Sequence, residues 1–406
     1  MPKGKNTIFF ILRGKVPKVK TVTYGRIVSE IRPHKIETHR FRITVGGDRL
    51  KFDDLAATQC AGMVTTKLLF NSSVSTPGDR FCTIEINDFY YGIPISDYEY
   101  MRIQLAAIPQ VIIDQYYLGT IQHKGWVYIE IQKGMPVIKQ SGKIANDRLC
   151  THFKNGYEPV RNTPVLWKHE TRNIIFTLVV DCFGIKFTSS RDAEHLASEL
   201  DDLYVITKDW EGTYVLGLTL NWNYNNRTVD VSMPKYVEAD LQKFHHPTPM
   251  KPQYSPHLWN RPIYGASTQC VDPEDNSEPI TPEGITMIRK IEGTLLYYAL
   301  ALYSTMLVAL SDIAATQSKA TEKTYDDVVW LLNYAASHPT AVVQYKPSKM
   351  IMRVQSDASY LSVTKVRSRA GRYHYLSNYS EDPPDNDPIQ NLCKNMTNVM
   401  ALEAEA

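Results

Sequence analysis

The sequence predicts an α+β fold, on two observations. Strand-like stretches, with single helices set between them, fill most of the chain up to residue 233. Helix-like stretches take over between 285 and 337. A strand-rich part followed by a run of helices is the pattern of α+β chains rather than of regularly alternating βαβ units. Two apolar strand-like stretches also carry an acid, Glu85 in TIEIND and Asp181 in LVVDCF, which bears on function. With 406 residues, 43% hydrophobic and 22% charged, the chain can build two to four domains with ordinary globular cores.

Residues 22–31 and 39–52 read as strands, the second interrupted by a Gly46-Gly47 turn. Residues 53–72 read as a helix, and 81–92 as an alternating strand that turns at Gly92-Ile93-Pro94. Residues 125–134 form another alternating strand, and 141–155 a helix ending at Gly156. The stretch 165–187 reads as apolar strands around a polar turn, with Asp181 at a second hairpin tip. Residues 191–204 form an amphipathic helix whose Asp201-Asp202 pair decorates the polar face. A hairpin over 213–233 turns at Asn223 to Asn226, and a helix over 235–246 follows. Prolines 247, 249, 252, 256, 262, 273, 279 and 282 mark a linker. Two helices are expected near 285–316 and 321–337, then a strand pair at 341–345 and 350–362 and an acidic loop at 380–388.

The 18 residues 293–310 carry no charge, the lower limit for a membrane span. Three tyrosines, two threonines and a serine lower their apolar content, and no basic cluster flanks them, so a buried globular helix is expected. Nothing near the N-terminus has the length or cleavage site of a signal peptide. Six scattered cysteines and eleven histidines show no ligand spacing, which argues against a zinc site or a disulfide framework and fits a reducing compartment.

Charge is distributed unevenly. Residues 1–51 hold 13 Lys/Arg against 3 Asp/Glu, although the whole chain has a net charge of only +2. A basic N-terminal region suggests a phosphate-bearing partner or a solvated tail. An acid on a buried strand is costly unless its charge is used. Carboxylates brought together from two strands are a common way to hold magnesium, a hard cation that takes oxygen ligands. Two such ions about 3.5–4 Å apart clamp the attacking and leaving oxygens in phosphoryl transfer. Salt bridges to neighbouring Lys or Arg are the plainer use of the same acids.

Seven stretches, in order, resemble the reverse transcriptase region of a copia-type long-terminal-repeat retrotransposon polyprotein. They are 39-HRFRITVGGDR-49, 83-TIEINDFYYGIPISDYEYM-101, 133-KGMPVIKQSGKIAN-146, 179-VVDCFG-184, 214-YVLGLTLNWNYNNRTVDVSMPKYVEADLQKF-244, 291-IEGTLLYYA-299 and 356-SDASYLSVTKVRSRAGRYHYL-376. The fourth resembles the Tyr-Val-Asp-Asp hairpin, and the last the opening of an RNase H domain. The resemblance implies a right-hand polymerase, with fingers over 1–80, palm over 81–205 and a thumb or primer-grip region over 206–260. A linker and helical connection over 261–345 and the start of a truncated RNase H-like domain over 346–406 would follow. It implies an RNA-directed DNA polymerase in the cytoplasm, a virus-like particle or the nucleus. Magnesium or manganese would be the cofactor, with primer-template and deoxynucleoside triphosphates as partners and no membrane.

Residue by residue, the resemblance puts Glu85 and Asp181 at catalytic metal-binding positions and Cys182 at a third. Tyr90 falls where the sugar 2′-position of the nucleotide is gated. Arg40 and Arg42 fall at triphosphate contacts, which suits guanidinium forks. Gln140 falls near template and nucleotide, and Asp357 and Glu405 at RNase H metal ligands. The ending ALEAEA suggests a piece of a longer polyprotein.

The departures fall on the same positions. Glu85 in place of aspartate moves a carboxylate by a methylene, where metal geometry must hold to about 0.5 Å. Cys182 puts a soft thiol where an aspartate is expected. Pro136-Val137-Ile138-Lys139 replaces a Tyr-Gly-Leu-Pro stretch. Related copies carry a charged pair near Leu300 and Tyr303 that is absent here. The sequence thus points to an impaired polymerase, or to a catalytically dead relic that at most binds primer-template.

Overall fold

A computed structural model describes residues 5–31, 38–52, 58–153, 156–258, 275–363, 367–378 and 386–396. Its first half contains β1 (Ile8–Ile11), β2 (Val22–Ile31), β3 (His39–Val45), α1 (Met63–Ser75), β4 (Arg80–Ile86), β5 (Pro94–Gln104), α2 (Gln110–Gln115), α3 (Leu118–Ile121), β6 (Trp126–Lys133), α4 (Lys139–His152), β7 (Tyr157–Val160), β8 (Thr163–His169), β9 (Ile174–Val179), β10 (Cys182–Phe187), α5 (Ser190–Asp201) and β11 (Ile206–Asp209). The second half contains β12 (Tyr214–Val215), β13 (Leu218–Asn223), β14 (Thr228–Ser232), α6 (Tyr236–Lys243), α7 (Pro282–Ala301), α8 (Leu307–Thr316), α9 (Glu322–Ser337), β15 (Val342–Tyr345), β16 (Ile351–Val363), β17 (Arg367–Ser377) and β18 (Gln390–Met396).

The chain forms two compact units. One comprises residues 1–61, 84–183 and 190–208; the other comprises 62–83, 184–189 and 209–406. In the first unit a five-stranded sheet has the order β1-β6-β5-β2-β3. Its pairs are antiparallel except β2 with β5, which run parallel. Alternation along β5 and β6 drives Met101, Ile103, Val127, Ile129 and Ile131 to one face, all at most 2% exposed. They pack with Val45, Leu50, Ile108, Leu118 and Ile138 into a single cluster. Burial of this kind contributes about 25 cal/mol per Å² of apolar surface.

A second sheet has the order β11-β4-β10-β9-β8-β7. Its apolar strands supply Ile84, Ile86, Phe176 and Phe183, each at most 1% exposed. Phe153 sits among Tyr157, Trp167, Phe176 and Phe183 with ring centroids 5.4–6.1 Å apart. Offset and edge contacts of this kind add about 0.5–1.5 kcal/mol per pair beyond area burial.

In the second unit β12, β13, β14 and β15 form a four-stranded sheet, and β16, β17 and β18 a three-stranded meander. Phe81 stacks on Trp222 at 5.1 Å, and Phe70 meets Phe81 edge-on at 5.3 Å. The Thr281 hydroxyl caps α7 by accepting from the Gly284 N–H at 3.2 Å, with Pro282 next in the chain. Thr321 and Thr324 form a reciprocal capping box at the start of α9.

Several elements differ from the sequence expectation. The helix expected over 53–72 begins at Met63, and residues 53–57 lie outside the described ones. The long helix expected over 285–316 is two, α7 and α8, separated at 302–306, where the Tyr303 ring stacks on Tyr334 and their hydroxyls bond at 2.8 Å. Among the described residues no helix is long and apolar enough to cross a membrane. The strand at 342–345 does not pair with the one after it. It completes the sheet of β14, while β16 pairs with β17. Part of the proline linker, 259–274, and most of the acidic loop, 380–385, lie outside the described residues.

Candidate active site

The turn between β9 and β10 is two residues long, Val180 and Asp181. Val180 has φ 59° and is 36% exposed. A β-branched residue in the left-handed region is a genuine outlier, costing about 1–3 kcal/mol. The sequence gives no signal of this strain, because the run from Phe176 to Val180 reads simply as apolar strand. Tight reversal here carries Asp181 out of the buried strand to a half-buried position at the tip, with Cys182 opening β10.

Glu85 lies on β4, and β4 and β10 are neighbours in the sheet. The Ile86 N–H donates to the Asp181 carbonyl at 2.8 Å, which sets the two acid-bearing backbones side by side. The next residue, Asn87, donates its N–H to the Val205 carbonyl at 2.8 Å, so the end of β4 is tied on both sides. Glu85, Asp181 and Cys182 are all half-buried.

Tyr90 lies in the turn after β4. Burial pushes its phenol above the ordinary value, and the charge of Asp181 pushes it the same way, followed by Cys60. The same turn meets the segment that leads into α4. The Gly134 N–H donates to the Ile93 carbonyl at 2.8 Å, and a Cβ at Gly134 would come within 2.8 Å of the Tyr90 carbonyl oxygen. Only glycine permits that approach. Ser141, in the first turn of α4, accepts from the Met135 N–H at 3.1 Å. Val137 has φ 77°, a second β-branched residue in the left-handed region.

The stretches around Glu85, Gly134 and Asp181 therefore converge, although 96 residues separate the two acids in sequence. Gln140 is brought in but turned inward. It is 7% exposed, and its amide nitrogen donates to the Glu99 carboxylate at 3.1 Å. Its carbonyl oxygen is buried without a partner. Glu99, 6% exposed on β5, had no sequence signal beyond its place in an alternating strand.

Arg42 lies half-buried on β3, opposite Val28 of β2. The backbone of Arg40 stands opposite Glu30 in the same hairpin. Asp357 lies exposed on β16, opposite Gly371. Glu405 lies outside the described residues. Asp201, read as surface decoration, is bonded to Lys208 at 2.6 Å and is exposed.

Among the described residues no three His, Cys, Asp or Glu side chains gather closely enough to hold a metal ion. Two carboxylates and a thiol do not fit a pair of magnesium ions, which need several oxygen ligands in near-octahedral array.

No family model and no curated protein matches this chain. A solved structure of a foamy viral protease-reverse transcriptase in complex with an RNA/DNA hybrid is similar at TM-score 0.46 and 10% identity. The likeness covers 94% of this chain, which spans 41% of that protein.

Proposed function

We propose that the chain is an RNA-directed DNA polymerase by descent, of copia-type retrotransposon origin, whose nucleotidyl transfer is impaired. The observation that carries this reading is the convergence of three motifs: the Glu85 strand bonded to the Asp181 hairpin tip, Tyr90 in the turn that follows Glu85, and the segment 133–141 packed on that turn. In this reading residues 1–80 supply the fingers, 81–205 the palm and 206–260 the thumb or primer-grip region. The strands after β15 are the start of an RNase H-like domain in which Asp357 is a metal ligand, and Glu405 another. Arg40 and Arg42 are the proposed contacts to the triphosphate of an incoming deoxynucleotide, and Tyr90 is the proposed limit on what its sugar carries at the 2′-position.

A divalent cation, magnesium or manganese, would supply the charge that clamps the attacking and leaving oxygens. Asp181 and Glu85 are its proposed ligands, and Cys182 is the position at which the set falls short. A second reading, a relic that binds primer-template without extending it, is favoured by the same shortfall. The burial of Gln140 against Glu99 takes that side chain out of reach of a template base.

Primer extension on an RNA template separates the two readings. The chain is compared with a Glu85→Asp, Cys182→Asp double variant, in magnesium and then manganese. We expect extension by the double variant at least about 100-fold faster than by the natural chain, the scale of restoring one preorganised electrostatic contact. If neither extends a primer while both melt cooperatively, the polymerase reading fails.

A further inference from the structure

The five-stranded sheet has a second face, opposite the apolar cluster. Alternation puts Tyr24 and Arg26 of β2, Arg102 and Gln104 of β5 and Trp126 of β6 on it. The register makes them neighbours: Tyr24 stands opposite Arg102, and Gln104 opposite Trp126. With Arg49 they line an open groove of about 570 Å³, within the size range of ligand sites.

Three guanidinium groups enter this groove, and among the described residues no acid lines it. Among the described residues none of the three forms an ion pair. Instead the aromatic rings hold them. Arg102 lies over Trp126 at 4.6 Å, and Arg26 and Arg49 lie over Tyr24 at 4.7 and 5.1 Å. Tyr24 is itself fixed, since its hydroxyl donates to Asp48 at 2.8 Å. Gly46 makes room for its ring, because a Cβ there would come within 2.5 Å of it. Stacking leaves the guanidinium edges free while removing much of the rotamer entropy that a phosphate contact normally costs.

We infer that this groove is an accessory site for single-stranded nucleic acid, on a different sheet from Glu85 and Asp181. Three guanidiniums stand near one carboxylate, that of Asp48 beneath Tyr24, so the groove keeps an excess of positive charge that an anion would offset. A single strand offers phosphates for the guanidiniums together with bases that stack on arginine and tryptophan faces. The choice of ligand rests on the nucleic-acid reading above; the anion site rests on the groove alone.

Fluorescence anisotropy of a labelled oligothymidylate of about 12 nucleotides, within the usual site size for single-strand grooves, tests it across a salt series. Arg26→Ala with Arg102→Ala is expected to weaken binding about tenfold and to lower the salt slope by about 0.7 for each guanidinium removed. Arg102→Lys, which keeps the charge but loses the planar fork, is expected to lower affinity at unchanged slope. Both arginines are exposed, so unchanged melting curves verify that the variants fold. Unchanged affinity and slope in the double variant would overturn the site. Displacement of the strand by tripolyphosphate at matched phosphate concentration would overturn the strand as ligand, leaving a free-polyphosphate site. Equal binding of duplex and single strand, with Trp126→Ala neutral, would overturn the stacking. Failure of primer extension with strand binding intact would count against the polymerase reading alone, and loss of groove binding with extension intact against this one alone.

Discussion

The six-stranded and the five-stranded sheets hold charge in opposite ways. On the six-stranded sheet two acids are set side by side at strand ends, with a cysteine beside them and no third carboxylate gathered among the described residues. On the second face of the five-stranded sheet three arginines share a groove, each held against an aromatic ring. The acid set is short of a third carboxylate among the described residues, whereas the arginine set gathers three cations in one groove. A metal set fails when one ligand is lost, whereas a groove with three guanidiniums loses affinity stepwise as each is removed. The difference teaches that binding should outlast catalysis in this chain.

The largest expected effect is on the acid side of the comparison. Restoring carboxylates at 85 and 182 should raise primer extension at least about 100-fold, whereas no change in the arginine groove should raise it. Removing both Arg26 and Arg102 should cost about tenfold in strand binding, measured by anisotropy, with a smaller effect on stability. Gly46→Ala attacks the groove from beneath. Its methyl would meet the Tyr24 ring at 2.5 Å and the Thr23 hydroxyl at 2.7 Å. It should cost about 1–3 kcal/mol in denaturant unfolding, the usual scale of overpacking, and weaken strand binding as well.

Asp240 sharpens the comparison, being an acid that is buried rather than displayed. It is 9% exposed, has one oxygen without a partner, and has Lys243 only at 4.0 Å. Burial raises its carboxyl to about 6, partly opposed by Lys243. A carboxyl raised in the folded state stabilises the fold below its unfolded value near 4, and that contribution is lost as pH rises through 6. Asp240→Asn should therefore stabilise by about 1–3 kcal/mol at pH 7.5, an effect that vanishes by about pH 4; melting curves at the two pH values check it. The smallest effect is expected at the hairpin tip. Val180→Gly relieves the left-handed strain but adds unfolded-state entropy, so a net gain of about 0.5–1 kcal/mol is expected in denaturant unfolding.

Local signals account for what the sequence made legible. The Asn223 to Asn226 turn lies at the end of the β13–β14 pairing, where Asn223 faces Thr228. The amphipathic pattern after Arg191 gives α5, and the apolar run before Asp181 gives β9 and its tip. Tertiary effects account for what was missed. The uncharged run 293–310 breaks at 302–306, where Tyr303 stacks on Tyr334, a partner 31 residues away. Residues 342–345 join β14 rather than their neighbour, a choice that local alternation cannot encode. At the candidate site the acids and Tyr90 were legible as motifs. The Glu99–Gln140 bond and the positive φ of Val180 were not, because each depends on which strands become neighbours. The arginine groove draws residues 24, 49, 102 and 126 from four segments, and only the basic excess of residues 1–51 could be read beforehand.

Manganese titration followed by electron paramagnetic resonance tests the central claim most directly, since it reads the acid site without requiring a competent primer-template. The natural chain should show no ion released by Asp181→Asn at up to millimolar manganese, and the Glu85→Asp, Cys182→Asp variant should gain one that Asp181→Asn removes. A tight manganese ion in the natural chain, lost on Asp181→Asn, would contradict the account and make the site at Glu85 and Asp181 complete as it stands.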